Sequence, residues 1–394
     1  MTPRHALALL CAAALLLGGC MTFKREAPRP GRTALDTPLV VVPALTVGNF
    51  LLVETKWDRR GPYRFLVDTG SSATLVTPEL ARRYRAKNQP PETMPQVRVR
   101  AAGGGTALLK PAVLSRLELG GARFEDVYVL VHDCQEISAH LGLKIDGILG
   151  FPLFRETVLT LDYPRSRLLL QPHSPAPLVP GVAIPFNNSL RTPLIPLRLG
   201  DQSITALIDS GSDAPLSLNL AGLAADFALL PRPGVAIGTL AGDHLQHIGR
   251  WRQPLVIGDY TIIRPLVDMT DELTALGGGI LRHFTVTFDQ ERNRVTFYRE
   301  ARDPIVQPPR RSSGLSFTKF PAYWRVVSVV PDSPAHAAGV QGGDLVTRID
   351  DEPVATWDYA RFERLVATAA AIRFTFLTGT TESSRSLAVF ELVP

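Results

Sequence analysis

The chain repeats itself. Phe65-Leu66-Val67-Asp68-Thr69-Gly70-Ser71-Ser72 is an apolar strand that runs into a polar turn and on to Thr74-Leu75-Val76. Ala206-Leu207-Ile208-Asp209-Ser210-Gly211-Ser212 does the same and leads to Leu216-Ser217-Leu218. Further on, Ile148-Leu149-Gly150 stands ahead of Thr160-Leu161-Asp162, and Ala275-Leu276-Gly277 ahead of Thr287-Phe288-Asp289. Gly150, Arg155, Thr160, Asp162, Arg165 and Arg167 recur as Gly277, Arg282, Thr287, Asp289, Arg292 and Arg294 without a gap. A single Asp-Thr-Gly-Ser turn arises by chance. Several motifs sharing order and spacing mark an internal duplication. The stretch from aspartate to glycine is shorter in the second copy, so the intervening hairpins differ. Short helices are expected after each turn, at 78–84 and 220–227.

Composition narrows the fold further. The 33 prolines and 31 glycines follow no short period, which excludes collagen and long coiled coils and favours a turn-rich, strand-rich protein. A hydrophobic share of 45% is enough for packed cores and excludes a disordered chain. The long apolar run is N-terminal, which excludes a polytopic membrane protein. The formal charge of +5 is carried mostly by scattered arginines. With no basic stripe, nucleic acid is not an expected partner.

Asp-Thr-Gly-Ser and Asp-Ser-Gly-Ser, each between apolar strands and each followed by apolar-apolar-Gly, resemble the aspartic proteases, most closely the bacterial retropepsin-like family. The resemblance covers about Thr37 to Arg299 and implies a β-rich, bilobed fold with one aspartate loop per lobe. It also implies that Ile148-Leu149-Gly150 and Ala275-Leu276-Gly277 pack behind those loops. Thr69 and Ser210 would link the loops by hydrogen bonds beneath the carboxyl groups. Ser210 stands where threonine is commoner, so a looser link is expected. Flap tips are expected at Ala101 to Thr106 and Gly238 to Asp243, without the flap tyrosine of pepsin-like enzymes.

The chemistry suits this pattern. Two carboxyl groups a few ångströms apart cannot both ionise, so the pair holds one proton and offers an acid and a base together. Asp68 and Asp209 are the expected catalytic pair, activating water with no cofactor or metal. Gly70 and Gly211 let the backbone come close. Their amides and the hydroxyls of Ser71 and Ser212 are expected to donate to the carboxylates. Asp162 and Asp289, each followed by arginines, read as turns with surface ion pairs. Phe151, Phe154, Phe284 and Phe288 read as core. The chain has no His-Glu-x-x-His and no Gly-x-Ser-x-Gly. His244 and His247 lack further nearby ligands and read as hairpin residues rather than a metal site.

The N-terminus reads as a leader. Arg4 precedes an apolar stretch from Ala6 to Leu17, too short to span a bilayer permanently. Leu17-Gly18-Gly19-Cys20 resembles the bacterial lipobox, which implies acylation of Cys20. Met21 in the next position implies the outer membrane of a Gram-negative cell, facing the periplasm. Cys134 is then the remaining cysteine of the exported chain, so no intramolecular disulfide is expected.

At the other end, Gly314-Leu315-Ser316-Phe317, the apolar strand Val326 to Val330, Ser333-Pro334-Ala335, Gly339-Val340, Gly343-Asp344 and Ile349 to Val354 resemble a bacterial PDZ domain. Such domains add a peptide strand to a sheet edge and hold its terminal carboxylate on backbone amides. By this likeness Gly314 to Phe317 form the carboxylate loop, although Ser316 replaces a second glycine.

The expected architecture is mainly β: two retropepsin-like or pepsin-like lobes in tandem, then an α+β PDZ domain. Its segments are a lipoprotein signal peptide at 1–20, a linker at 21–36, lobe 1 at 37–175, lobe 2 at 176–303, a linker at 304–311 and the PDZ domain at 312–394. The first functional reading is a membrane-anchored aspartic endopeptidase whose PDZ domain recruits or regulates protein substrates. The second is an inactive, protease-like binding lipoprotein. Two lobes in one chain remove the need for a dimer, so a monomer is expected.

Overall fold

The computed structural model describes residues 31–86, 94–100, 104–239 and 242–394. The leader with Cys20 and the hairpin tips at 101–103 and 240–241 lie outside them.

Both copies of the repeat fold alike. In each, the strand that ends in aspartate (Arg60–Asp68, Gln202–Asp209) runs parallel to the apolar-apolar-Gly strand. Asp68 lies opposite Gly150 and Asp209 opposite Gly277. That strand is antiparallel to the short one after the turn, Thr74–Val76 or Leu216–Leu218. The short strand is parallel in turn to Ala122–Val131 or Leu266–Met269. Strands enclosed on both faces need apolar residues throughout. Phe65, Leu66, Val67, Leu75, Ile148 and Leu149 in one copy, and Ile208, Leu216 and Leu276 in the other, are accordingly buried.

A shared sheet joins the copies. Val158–Asp162 pairs antiparallel with Thr285–Asp289, setting Thr160 opposite Thr287, and their hydroxyls bond at 2.9 Å in the interior. Residues equivalent by the duplication therefore face each other, and the pseudo-twofold axis passes through this pair. Arg167–Gln171 and Val40–Val47 extend the sheet on one side, Arg294–Tyr298 and Val182–Pro185 on the other. Phe151, Phe154, Phe284 and Phe288 are all fully buried, and the rings of Phe151 and Phe288 meet across the lobes at 5.4 Å.

The C-terminal sheet orders its strands Leu315–Lys319, Trp324–Val329, Leu345–Ile349, Ala371–Thr378 and Thr381–Ala388. Helix Tyr359–Thr368 covers it with Phe362, against Phe317, Trp324 and Phe374. Asp358 caps that helix by accepting from the Arg361 amide at 2.6 Å. Gly339, just past helix Pro334–Ala337, has φ +71°, where a side chain would be strained.

Several local expectations are corrected. Pro78–Arg83 is helical, but 220–227 is not. There Asn219 Oδ1 accepts from the Ala221 amide, and the Gln202 amide group bonds both Ala224 N and Ala224 O. These bonds hold the backbone open, and strand Phe227–Thr239 follows directly. Stretches read as linkers also contain strands. Arg32–Leu35 lies along Ala122–Glu125, Ile305–Val306 along Ile262–Ile263, and Arg310–Ser312 along Phe390–Val393. Asp162 is buried rather than at the surface, held by Arg165, Arg167 and the Thr285 hydroxyl. Among the described residues no helix is long and apolar enough to cross a membrane.

The hydroxyl pair on the axis carries a test. Thr287→Val leaves the Thr160 hydroxyl buried without its partner, at an expected cost of about 1–3 kcal/mol. Converting both threonines to valine removes the orphan and should recover most of that loss in urea denaturation. Equal costs for single and double variants would show that the pair does not couple the lobes.

Candidate active site

The two aspartate loops meet head to head. The Thr69 amide donates to Ser210 Oγ at 2.9 Å, and the Ser210 amide to Thr69 Oγ1 at 3.1 Å. The Thr69 hydroxyl donates to the Ile208 carbonyl at 2.7 Å, and the Ser210 hydroxyl to the Val67 carbonyl at 2.8 Å. Each side chain thus accepts from and donates to the opposite loop, and both are buried. The link expected to be looser with serine is complete. Only the hydroxyl enters these bonds, so the missing methyl costs none of them.

The glycines show how close the carboxyl groups come. A Cβ on Gly70 would lie 2.5 Å from Asp209 Oδ1, and one on Gly211 would lie 2.6 Å from Asp68 Oδ1. No side chain fits at either position. Each glycine therefore faces the aspartate of the other lobe, which brings the Asp68 and Asp209 carboxyl groups close together. Behind them, the Phe151 amide donates to Ser71 O and the Gly278 amide to Ser212 O, at 3.0 and 2.7 Å. The segments Ile148–Gly150 and Ala275–Gly277 brace the loops in this way.

The donors to the carboxylates are backbone groups. The Ser71 amide reaches Asp68 Oδ1 at 3.0 Å, and the Gly211 amide reaches Asp209 Oδ1 at 2.9 Å. Contrary to expectation, the Ser71 hydroxyl turns away and donates to Ala73 O at 2.7 Å. The Ser212 hydroxyl lies over Gly277, where a Cβ would be 3.0 Å away. Burial raises both carboxyl pKa values. At Asp68 the Asp209 charge and hydrogen bond add to the rise, while the Gly70 and Ser71 amides oppose it. At Asp209 the Gly211 amide and the bond from Asp68 hold the rise back. Two buried carboxyl groups this close favour a single shared proton, which belongs to the pair rather than to either residue. Tyr163, buried and without a bond to its hydroxyl, is pushed up by burial and by both carboxylates.

Other expected features fall nearby or apart. Hairpin Val97–Arg100/Thr106–Leu119 in lobe 1 and hairpin Phe227–Thr239/Gly242–Trp251 in lobe 2 run up to the two stretches where flap tips are expected. Arg100 pairs with Glu272 of lobe 2 at 2.7 Å, and Asp243 with His140 of lobe 1 at 2.9 Å, so each hairpin reaches the opposite lobe. His244 and His247 lie in the second hairpin, where the His247 amide donates to Asp268. His173 is brought to Asp289 and Glu291 at 3.2 and 3.6 Å, but Arg292 already pairs with Asp289 at 2.7 Å. The Cys134 thiol is buried and pushed up to about 12, which leaves it unreactive at neutral pH. In the PDZ domain, the amides of Gly314 and Leu315 are engaged by Ser312 Oγ at 2.9 Å and Ser313 Oγ at 3.4 Å. Sequence reasoning missed Asn49, whose amide and side chain bond Asp213 at 2.9 and 3.0 Å and tie lobe 1 to the second aspartate loop. Nothing local marks an asparagine after a turn glycine for that task.

Two outcomes test this geometry. Ser210→Ala strands the Thr69 amide and the Val67 carbonyl, at an expected cost of about 1–3 kcal/mol for each buried group, whereas Ser210→Thr keeps both bonds. Thermal denaturation that ranks the alanine and threonine variants equally would contradict the link. A group that holds its proton more tightly in the fold than in the unfolded chain contributes stability that is complete in acid and lost as pH rises through its raised pKa. Asp68→Asn stays neutral at every pH. It should melt above the wild type at pH 8, and the gap should close towards pH 4. A wild type at least as stable at pH 8 would exclude a shared proton.

Residues 53–153 match the aspartyl protease family and residues 325–377 match the PDZ domain family. No curated protein matches the chain. The first match spans the Asp68 loop and its brace, and the second copy repeats the same strand order around Asp209. The chain is thus a mainly β protein with an aspartyl protease domain followed by a C-terminal PDZ domain.

Proposed function

We propose that the protein is an aspartic endopeptidase in which Asp68 and Asp209 hydrolyse peptide bonds through an activated water. The reciprocal approach of the two loops, each glycine against the other lobe's carboxyl group, carries this reading. A water held between the carboxyl groups loses a proton to the ionised one as it attacks the scissile carbonyl. The protonated one donates to the carbonyl oxygen. The resulting gem-diol collapses as the nitrogen takes up a proton, and the amine leaves. Peptide and water balance two products, and the pair ends with the single proton it began with. Thr69 and Ser210 hold the loops at bonding distance, and Gly70 and Gly211 leave room for the approach. No cofactor enters the reaction.

The PDZ domain recruits or regulates protein substrates in this reading. The lipobox-like Leu17 to Cys20 supports anchoring through acylated Cys20, in the outer membrane and facing the periplasm. Labelling with a radioactive fatty acid that survives Cys20→Ser would remove the anchor from the proposal.

Asp68→Asn and Asp209→Asn should each lower pepstatin-sensitive cleavage of an unfolded protein such as reduced casein by at least about a thousandfold, the scale of losing one half of a concerted acid–base pair. The rate should fall with rising pH as the pair loses its shared proton, and again in stronger acid as it gains a second one. Undiminished cleavage by both variants would exclude the pair as the catalytic centre.

A further inference from the structure

The PDZ sheet ends at strand Leu315–Lys319, which has a partner in that sheet on one side only. This edge and helix Tyr359–Thr368 frame the place where PDZ domains add a peptide strand. The protease itself fills one end of it. Helix Gln135–Leu141 of lobe 1 packs beside the edge strand, and the Lys319 ammonium donates to the His140 carbonyl. The Lys319 stem lies against Gly142, and its ammonium sits over the rings of Trp324 and Tyr359 at 5.3 and 4.9 Å. Tyr359, in the first turn of its helix, joins the lobe 1 apolar cluster of Ile137, Leu141 and Leu143. It also closes on Gly48, where a Cβ would lie 3.1 Å from the Tyr359 ring and 3.0 Å from Asp213 Oδ1. Asp213 is four residues past Asp209, at most about 14 Å along the chain.

The lobe 2 hairpin is tied into the same junction. The Ala236 amide donates to Ser328 Oγ at 2.7 Å, and Ser328 Oγ bonds Ser316 Oγ at 2.8 Å. The His140 side chain meets Asp243 of that hairpin. An unbroken set of contacts therefore runs from the second hairpin, through the lobe 1 helix and the PDZ edge, to the second aspartate loop.

The chemistry at Lys319 names the competitor. An ammonium taken largely out of water here bonds a neutral carbonyl and faces two rings. Burial pushes its pKa down to about 8, and the Glu363 carboxyl group, near it but not bonded to it, offsets only part of that fall. A carboxylate is a far stronger partner for such a group than a carbonyl. At the other end of the groove, Ser312 to Leu315 are buried and the Gly314 and Leu315 amides already have acceptors. A free chain end finds these two amides already taken, which favours an internal extended segment as the ligand.

We propose that the PDZ groove is occupied in cis by the lobe 1 helix, and that an extended peptide with an acidic side chain displaces that helix by capturing Lys319. Groove occupancy then loosens the helix and the lobe 2 hairpin, which regulates the active site. Only this last effect rests on the hydrolytic reading. Two ligands that exclude each other at one site are coupled in both directions, so an occupant of the groove and a docked helix oppose each other.

Hydrogen exchange on the full chain tests this. The Asp68→Asn protein is used so that no probe is cleaved and the outcome is independent of the peptidase proposal. The probes are a heptapeptide of alternating threonine and valine with one central glutamate, capped at both ends, and its glutamine twin. The glutamate peptide should speed exchange at 135–141 and 227–238 by about tenfold, a coupling of ordinary size, and the glutamine peptide should not. Lys319→Met should show the same rise without peptide, while strands 345–349 and 371–378 stay protected. Unchanged exchange in Lys319→Met, or equal effects of the two peptides, overturns the proposal. Should Lys319→Met lose protection in those strands, Ser328→Ala replaces it. That variant removes the tie from the other face and should speed exchange at 227–238, and no change there overturns the proposal equally.

Discussion

The exchange of hydrogen bonds between Thr69 and Ser210 holds the rest in place. Two carboxyl groups repel each other once both are charged, and burial removes the water that would screen them. They stay together because buried hydroxyls, directly below, satisfy the backbone of the opposite loop in both directions. Breaking this link would strand an amide and a carbonyl in each lobe, a cost well above that of a surface contact. The site's proton economy follows from that enforced proximity.

The lobes are not simply placed side by side. Their strands share one sheet across the pseudo-twofold axis, Thr160 meets its own counterpart Thr287, and Phe151 packs on Phe288. The apolar core runs through both lobes without a break. The PDZ domain differs in kind. It has its own core around Phe317, Trp324, Phe362 and Phe374, and it meets the protease in two ways: through polar and mixed contacts at Lys319, Ser328 and Tyr359, and through a buried apolar cluster of Ile248 and Leu266 with Val330, Leu392 and Val393. The polar part of that junction, at Lys319 and Ser328, can open locally at modest cost, whereas the interlobe sheet cannot open without unfolding.

Much of the centre was legible because it is local. Asp, hydroxyl, Gly and Ser stand together, and the duplication placed one such turn in each half. The braces at Ile148–Gly150 and Ala275–Gly277 were legible for the same reason. The hydroxyls of Ser71 and Ser212 were misjudged, since nothing in a turn sequence says whether its amide or its hydroxyl will reach the carboxylate. The helix expected at 220–227 failed because Gln202, far off in the chain, takes both backbone groups of Ala224. Asn49, Glu272 and His140 were illegible for a related reason: each works through a partner on the other lobe.

The sequence by itself determined the strand-rich class, the two equivalent halves, the residues at the centre of each and the C-terminal module. Periodicity, turn residues and repetition are properties of neighbouring positions, and a chain displays them before it folds. Tertiary structure alone decided that Gly70 looks at Asp209, that serine serves as well as threonine in the link, and that the PDZ edge rests on the helix of lobe 1. These depend on distances between segments far apart in the chain, and such distances are set only when apolar burial brings the segments together.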